Sequence, residues 1–351
     1  MKRETVNMAD LGFDNEIIDV RSQTEYATDH IPGAVNLPVL NDAERKLVGW
    51  TYKHESSFKA KRIGAALVAK NIANHIELRL SDKPENWSPI IYCWRGGKRS
   101  GSMSLVFRQI GWQAKQLAGG YKSFRRHVIK NTDTLASSFH YVVICGLTGT
   151  AKTDLITEIK RHGGQTLDLE GLAQHRGSVL GFDPSAIQPT QKKFETEIWY
   201  QLQQLDPKKP VFVESESKKI GDLRIPEPLI NTFRQGSCIN ITAGIGTRSE
   251  YLKKNYAHLI QKPSALVTQL NKLRSKHGNG GVDFWLELIS RNKWDEFIRD
   301  LLEKHYDASY TKSMQKNFNT FLKAPSYHLN TTSHDALSSL AESILSNYST
   351  L

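Results

Sequence analysis

The first 130 residues alternate between short apolar runs and longer stretches with apolar residues at helical spacing. The apolar runs have the length of buried strands, and the longer stretches have the 3.6-residue period of amphipathic helices. Strands are predicted in "EIIDVR" (16–21), "HIPGAVNLP" (30–38) and "PIIYC" (89–93), and helices in "FKAKRIGAALVAKNIANHI" (58–76) and "SGSMSLVFRQIG" (100–111). This order predicts an α/β domain built on a parallel sheet.

The same alternation starts again at Tyr141. The stretch "YVVICGLTGTAKTDLITEIKRHG" (141–163) predicts a strand, a glycine loop and a helix. Further strands are predicted in "GQTLDLEG" (164–171), "PVFVESES" (210–217) and "GSCINITAG" (236–244). From about residue 250 onward the pattern is mostly helical, as in "DFWLELISRNKWDEFIRDLLEKHY". The second half is therefore predicted to be an α/β domain with a helical C-terminal region.

Between these halves, "HVIKNTDTLASSFH" (127–140) is polar and predicts an irregular connection. A chain of 351 residues is also long for a single hydrophobic core. We therefore predict two domains, residues 1–132 and 138–351.

The composition, with 39% hydrophobic and 24% charged residues, is that of an ordinary globular protein. No apolar run is long enough to span a bilayer, and the N-terminal residues lack the apolar core of a signal peptide. We expect a cytoplasmic protein without a membrane partner.

The charge of the chain is unevenly distributed. Residues 1–130 contain 21 basic and 13 acidic side chains, which gives them +8 of the total net charge of +11. Such a surface suits a polyanion, most simply RNA or DNA. The segment "YKSFRR" contributes three candidate contacts: Lys122, Arg125 and Arg126.

Three cysteines are present, and they are too widely spaced for a zinc site or a disulfide framework. Cys145 and Cys238 lie in apolar stretches and are expected to be buried and inert. Cys93 instead opens a loop between a strand and a helix, followed by glycines and cations: Arg95, Gly96, Gly97, Lys98 and Arg99. A thiolate is the reactive form of cysteine, and helix N-terminal amides and cations stabilise it. The loop is therefore predicted to hold a thiolate that attacks, or carries, an anionic group.

A phosphate-binding loop is predicted in "GLTGTAKT" (146–153), which follows a strand and opens a helix. Backbone amides between Gly146 and Gly149 would surround phosphate oxygens, Lys152 would add charge, and Thr153 would hold Mg²⁺. Ala151 departs from the usual pattern, which has glycine there. The alanine is strained if this position has positive φ and harmless if it lies in the first helical turn. The sequence leaves this question open.

Polar residues after the neighbouring strands are candidates to position Mg²⁺ or substrate: Asp168, Glu170, Glu214 and Glu216. For each of them an ordinary strand-end cap or a solvated charge is the competing interpretation. Arg176, in the turn "LAQHRGSVLG", could bind a phosphate through two hydrogen bonds. The adjacent His175 is interpreted as a packing residue.

The segment "DVRSQTEYATDHIPGAVNLP" (19–38), followed by the C-x5-R loop "CWRGGKR" (93–99), resembles the rhodanese domain. In that family the loop cysteine takes up sulfur or a related chalcogen as a persulfide. The resemblance implies a three-layer rhodanese-like fold for the first domain. For Asp19, Arg21 and His30 it implies structural roles.

Taken with a P-loop NTPase-like second domain, the chain resembles the bacterial tRNA 2-selenouridine synthase family along nearly its whole length. The motifs that carry this resemblance best are "CWRGGKRS" (93–100), "DLEGLAQHRGS" (168–178) and "VESESKKIG" (213–221). Stretches such as "LLEKHYDASY" (301–310) match more weakly.

This resemblance implies a transferase that acts on wobble 2-thiouridine in tRNA. It would geranylate the sulfur from geranyl diphosphate and then replace the S-geranyl group with selenium from selenophosphate. No cofactor would be tightly bound, Mg²⁺ could assist, and selenophosphate synthetase is the implied source of the selenium donor. Cys93 and its loop would serve the selenium step, and the phosphate loop would bind the diphosphate.

Two other hypotheses remain open at this point. The chain could be an ATP-dependent RNA sulfurtransferase or kinase with a rhodanese chalcogen-carrier domain. It could also be a carrier that docks a partner and does no RNA chemistry. Titration with nucleotides distinguishes the first, and a gel shift with purified tRNA distinguishes the second.

Overall fold

A computed structural model of the protein describes residues 4–12, 16–178, 181 and 187–348. The chain divides into two compact units: residues 1–131 with 189–200, and residues 132–188 with 201–351. Among the described residues, no helix combines the length and apolar character needed to cross a bilayer.

The first unit contains a five-stranded sheet in which every neighbouring pair is parallel, in the order β1-β5-β4-β2-β3. Its strands are β1 Thr5–Val6, β2 Ile17–Asp19, β3 Val35–Asn36, β4 Ile90–Tyr92 and β5 Lys115–Leu117. The helices in this part of the chain are α1 Gln23–Thr28, α2 Asp42–His54, α3 Ser57–Arg79, α4 Lys98–Ile110 and α5 Gly120–Ala136.

Central strands of a parallel sheet are covered on both faces, and the sequence reflects this. Ile18 in β2 and Ile91 in β4 are paired in register and are 1% and 0% exposed. Phe107 of α4 and Trp112 pack edge to face near this sheet, with ring centroids 4.9 Å apart. Helix α4 ends as predicted at Gly111, which has φ 114°.

The prediction of an irregular connection over residues 127–140 is wrong, because α5 continues to Ala136. Phe124, Val128, Thr132 and Ala136 are all buried and follow one another at four-residue intervals. This stripe forms one face of the helix. Because polar residues separate the members of this stripe along the chain, the segment has the composition of a loop in the sequence.

The second unit contains another five-stranded parallel sheet, in the order β12-β11-β6-β8-β7. Its strands are β6 Tyr141–Gly146, β7 Gln165–Leu167, β8 Val211–Glu214, β11 Ser237–Ala243 and β12 Ser326–Leu329, and an antiparallel pair is formed by β9 Lys219–Ile220 and β10 Leu223–Arg224. The edge strand β12 was not predicted. The predicted α/β class with parallel sheets and a helical C-terminal region is confirmed.

The helices of the remaining chain are α6 Lys152–Arg161, α7 Leu169–Ala173, α8 Gln191–Gln203, α9 Glu227–Phe233, α10 Ile245–Asn255, α11 Ala257–Gln261, α12 Pro263–Asn271, α13 Arg274–Ser290, α14 Trp294–Leu301, α15 Ala308–Asn317 and α16 His334–Tyr348. A π-helical segment, Leu302–Asp307, joins α14 to α15. Helices α10 to α14 share an apolar cluster of their own, separate from the cluster on the sheet.

Neighbouring parallel strands end at the same edge of the sheet, so the loop after β6 and the residues after β8 lie together.

Candidate functional site

The thiol loop runs from the end of β4 to the first residue of α4. Cys93 is 3% exposed, and its sulfur accepts hydrogen bonds from the Gly97 amide and the Ser100 hydroxyl, each at 3.2 Å. Both donors lie at the start of α4, where the helix dipole also favours negative charge. The Cys93 sulfur therefore lies at a strand-to-helix turn, within hydrogen-bond distance of two donors.

The shape of the loop depends on close backbone packing. Gly96 has φ 62°, and a Cβ atom on Gly120 would lie 2.2 Å from the Cys93 carbonyl oxygen. Gln116 in β5 donates from Nε2 to the Gly96 carbonyl at 2.7 Å and to the Ser100 hydroxyl at 2.7 Å. Sequence reasoning missed Gln116, because no motif marks it and it is 20 residues from Gly96.

The three cations of the loop have different surroundings. Arg99 forms an ion pair with Glu25 at 2.7 Å, and Glu25 also pairs with Arg45 at 2.8 Å. Arg95 and Lys98 are exposed and, with Cys93, border an open cavity of about 380 Å³. An anion in this cavity would thus meet Arg95 and Lys98 as available positive charges, while Arg99 is partly neutralised.

Asp19 and Arg21 form a buried ion pair, with the Arg21 guanidinium 2.6 Å from the carboxylate. Tyr92 donates to the same carboxylate at 2.6 Å, and Arg21 also donates to the Asp29 carbonyl at 2.7 Å. His30 stacks on Tyr26 with ring centroids 3.8 Å apart. These contacts join segments of the domain to one another, which suits the expected structural roles.

In the second unit, the phosphate loop connects β6 to α6. The Gly146 amide donates to the Tyr310 hydroxyl at 2.8 Å, and Lys152 Nζ donates to the Gly146 carbonyl at 2.7 Å. Ala151 has φ 58° and ψ 33°. The question left open by the sequence is thereby answered: this alanine occupies the left-handed region, a conformation that costs about 1–2 kcal/mol for a residue with a side chain.

Beneath the loop lies Arg248 of α10, which is 3% exposed. Its Nε donates to the Thr148 carbonyl at 2.8 Å, and its guanidinium makes two hydrogen bonds to Asp307, at 2.6 and 3.0 Å. Gly149 packs directly on Arg248, since a Cβ there would lie 3.0 Å from the Arg248 carbonyl oxygen. The helical C-terminal region thus supports the phosphate loop, a role that sequence reasoning missed.

A cluster of carboxylates faces the loop. Ligand atoms of Glu170, Glu214 and Glu216 lie within 4.8 Å of one another, and the Thr153 hydroxyl donates to Glu170 at 3.2 Å. Burial and the nearby Glu170 raise the pKa of Glu214 to about 8. Burial and Glu214 raise the pKa of Glu216 to about 7, and burial followed by Glu216 raises that of Glu170 well above its usual range. Three carboxylates at this spacing can all be ionised only when a cation lies between them, and otherwise they retain protons.

The donor set fits a magnesium ion. Carboxylate and hydroxyl oxygens are the ligands that Mg²⁺ prefers. Glu214 is 6% exposed, and its Oε1 has no hydrogen-bond partner among the described residues. Glu170, Glu214, Glu216 and Thr153 would hold the ion, which would neutralise negative charge on an anion at the loop.

A cavity of about 490 Å³ opens over the loop and the carboxylates, bordered by Lys152, Thr153, Glu170 and Arg176. The Arg176 guanidinium lies 4.8 Å from the centre of the Tyr256 ring and donates to a backbone carbonyl. Asp168 does not border this cavity, and its carboxylate caps α7 by accepting from the Gly171 amide at 2.8 Å. Of the four predicted carboxylates, the structure therefore brings together Glu170, Glu214 and Glu216 and leaves Asp168 as a helix cap.

The three basic residues predicted to contact nucleic acid also differ. Lys122 and Arg126 are exposed on α5. Arg125 forms an ion pair with Glu195 and lies 3.3 Å from the Thr196 hydroxyl, so its charge is paired with a residue of the same unit.

Cys145 and Cys238 are buried on neighbouring strands, as expected.

Together, the parallel sheets, the C-x5-R thiol loop and the phosphate loop define a two-domain α/β protein in which a rhodanese domain is joined to a P-loop domain. Residues 4–127 match the rhodanese-like domain family, and residues 139–277 match the family described as the tRNA 2-selenouridine synthase AAA domain. The chain belongs to the tRNA 2-selenouridine synthase family.

Relatives of that name align over most of their length. The tRNA 2-selenouridine synthase of Nitrosomonas europaea is 36% identical over 327 residues, which covers 87% of this chain and 84% of the relative. That of Alcanivorax borkumensis is 34% identical over 341 residues, covering 88% and 92%. The alignment with the Nitrosomonas eutropha synthase is shorter and covers 63% of that relative.

Proposed function

We propose that this protein converts wobble 2-thiouridine in tRNA to 2-selenouridine in two steps, with geranyl diphosphate and selenophosphate as donors. The observation that carries the proposal is the presence of two chemically different anion sites in one chain. One has a phosphate loop facing a carboxylate cluster, and the other has a thiol at the base of a cationic loop. The tRNA is the macromolecular substrate named for the relatives.

In the first step, the sulfur of 2-thiouridine attacks C1 of geranyl diphosphate. A C–S bond forms, the C1–O bond breaks, and diphosphate leaves with the bonding electron pair. The N3 proton of the base passes to water, so the product is neutral S-geranyl-2-thiouridine. No oxidant or reductant is needed.

The phosphate loop is suited to this step because it binds the leaving group. Backbone amides at the start of α6 and the ammonium of Lys152 stabilise the charge that grows on diphosphate as the C–O bond breaks. Such stabilisation accelerates the reaction only where the charge increases in the transition state. Hydrolysis of a nucleotide has no part in this reaction.

The second step needs a selenium nucleophile. We propose that the Cys93 thiolate attacks phosphorus in selenophosphate, which forms an S–P bond and breaks the P–Se bond. Selenium keeps the electron pair, takes up a proton from water and leaves as hydroselenide. Water then hydrolyses the phosphocysteine to free thiol and phosphate.

Hydroselenide attacks C2 of the S-geranylated base, and the C2–S bond breaks. The sulfur departs as geranylthiol after gaining a proton, and the base becomes 2-selenouridine. Selenium stays at the selenide level throughout. A perselenide on Cys93, the analogue of the rhodanese persulfide, would instead require a two-electron oxidant.

The test is mass spectrometry of nucleosides from 2-thiouridine tRNA incubated with the purified protein. Geranyl diphosphate alone should give S-geranyl-2-thiouridine, and both donors together should give 2-selenouridine. Unchanged 2-thiouridine in both reactions would refute the proposal. Competition distinguishes the ATP-dependent hypothesis, because geranyl diphosphate should displace inorganic diphosphate far better than ATP does.

A further inference from the structure

A second cavity, of about 70 Å³, adjoins the cavity over the phosphate loop. The residues that border both are Thr148, Ser178, Leu252, Tyr256 and Tyr306. The two cavities therefore share a wall. A ligand whose charged end lies at the loop can extend its other end into the smaller cavity.

The smaller cavity has an apolar wall. Leu259, Leu266, Phe297, Leu301 and Leu302 border it, and none of them is more than 5% exposed. Among the described lining residues none carries a charge. The wall comes from α10, α11, α12, α14 and the π-helical segment, so it belongs to the apolar cluster of the helical region and not to the sheet.

The π-helical segment connects the two cavities. Leu302 borders the small one, His305 borders the large one, and Tyr306 borders both. Asp307, at the end of the segment, holds the Arg248 guanidinium that contacts the phosphate loop. Widened helical turns of this kind are frequent at functional sites. Here one short segment contributes both to the apolar wall, through Leu302, and to the support of the phosphate loop, through Asp307.

We propose that the small cavity holds the distal end of the prenyl chain of the diphosphate donor and thereby selects its length. The inference rests on the proposed function, since it assigns the apolar half of a substrate whose charged half lies at the phosphate loop. The heterocycle of a nucleotide fits this cavity poorly, because its polar edge atoms would lack hydrogen-bond partners on such a wall.

The size of the cavity sets the limit on length. A cavity of ~150 Å³ is known to admit a benzene ring, so 70 Å³ accommodates only the end of a branched aliphatic chain. The carbons nearer the diphosphate then lie along the shared wall, beside Leu252, Tyr256 and Tyr306. A chain longer by one isoprene unit would press against the buried leucines at the far end.

Two substitutions change the cavity in opposite directions. Leu301→Ala enlarges it, and Leu266→Phe fills it. Leu288→Ala is the matched control, because Leu288 belongs to the same apolar cluster but does not border the cavity. Wild type and variants are compared in kcat/KM for S-prenylation of 2-thiouridine tRNA with dimethylallyl, geranyl and farnesyl diphosphate.

We expect Leu301→Ala to raise the preference for farnesyl over geranyl diphosphate about tenfold, and Leu266→Phe to lower the preference for geranyl over dimethylallyl diphosphate about tenfold. The control should keep the wild-type preferences even if it lowers stability. Calorimetry with the unreactive analogue geranyl thiolodiphosphate gives a second readout. Leu266→Phe should weaken its binding about tenfold and leave inorganic diphosphate binding unchanged, which also shows that the phosphate site is folded.

If the wild type geranylates tRNA but the variants keep its chain-length preferences and analogue affinity, the cavity assignment is wrong and the proposed function stands. If the wild type transfers no prenyl group from any of the three donors, the proposed function is wrong and the cavity assignment falls with it.

Discussion

The ammonium of Lys152 lies 2.7 Å from the carbonyl oxygen of Gly146, the residue that begins the phosphate loop. The lysine therefore folds back over the loop from the first residue of α6, and its ammonium lies at the start of the loop. Tyr310 lies beside it, with its ring centre 5.5 Å from the ammonium. This arrangement makes Lys152 the most direct probe of diphosphate binding.

Replacing Lys152 with alanine should impair geranylation much more than tRNA binding. A charge-assisted hydrogen bond to a desolvated phosphate contributes about 2–3 kcal/mol, so kcat/KM for geranyl diphosphate should fall about 30- to 150-fold. Contacts to tRNA are spread over a wide surface and depend little on one partly buried charge. Steady-state geranylation and a tRNA gel shift on the same preparation measure the two effects.

Lys160→Ala is the matched control, because Lys160 is an exposed lysine on the same helix. It should leave geranylation within about twofold of wild type. Equal losses in the two variants would mean that the phosphate loop is not the diphosphate site.

Glu214 should make the stability of the protein depend on pH. Its pKa is raised to about 8 in the folded state by burial and by Glu170, so the folded protein retains a proton that the unfolded chain loses near pH 4.5. The folded state consequently binds more protons between these values. The contribution of Glu214 to stability is fully present below about pH 4.5 and is lost as the pH rises through about 8.

Glu214→Gln removes this ionisation, so the melting temperature of the variant should fall less than that of wild type between about pH 5 and pH 9. Mg²⁺ should raise the wild-type melting temperature more at pH 9 than at pH 5 and have little effect on the variant. Glu250→Gln, which changes an exposed glutamate of α10, is the control and should follow the wild-type curve. Parallel curves for wild type and Glu214→Gln would contradict the prediction.

Binding of tRNA should be electrostatic and should depend on the first domain, where most of the net charge lies. The double variant Lys122→Glu/Arg126→Glu should weaken binding to all tRNAs alike. It should also make the association constant less dependent on salt, with a logarithmic slope that decreases by about one for each phosphate group that the variant no longer neutralises. Fluorescence anisotropy over a series of salt concentrations measures both quantities.

Arg125 is left out of this variant because its ion pair with Glu195 is internal, and reversing its charge would perturb the fold. Lys208→Glu, an exposed charge reversal in the second unit, is the control. A tRNA affinity that does not respond to salt would exclude an electrostatic mode of binding.

The sequence allows the local parts of both sites to be predicted, because each part is carried by consecutive residues. Cys93 with its glycines and the phosphate loop are examples, since a strand, a loop and a helix start can be read from a short window. Contacts between distant residues could not be predicted in this way. The Tyr310 hydroxyl meets the Gly146 amide across 164 positions, and its only sequence signal is its place at the end of a weakly matching stretch.

Glu170 and Asp168 show the same limit at closer range. They are two residues apart and both follow β7, so the sequence alone does not show which of them joins the carboxylate cluster. The chain turns into α7 at Leu169, which directs Asp168 to the Gly171 amide and Glu170 to Thr153. Which carboxylate joins the cluster thus depends on where a five-residue helix begins.

Cys93→Ser should separate the two reactions. Serine retains the size and hydrogen bonding of cysteine, but its hydroxyl is not ionised at neutral pH and does not attack selenophosphate. The proposed diphosphate site is built from other residues, all in the second unit. The variant should therefore convert 2-thiouridine to S-geranyl-2-thiouridine at the wild-type rate and form no 2-selenouridine, as measured by mass spectrometry of digested tRNA.

Hydroselenide supplied directly should restore 2-selenouridine formation by Cys93→Ser, whereas added selenophosphate should not, because the variant lacks only the step that releases selenide. S-geranylated tRNA incubated with hydroselenide alone corrects for the uncatalysed reaction. Full activity of the variant with selenophosphate would mean that the thiol takes no part in the chemistry. Loss of geranylation would mean that Cys93 is needed for the fold or for a site common to both steps. Failure of hydroselenide to restore the product, with geranylation intact, would indicate that Cys93 must carry the selenium itself.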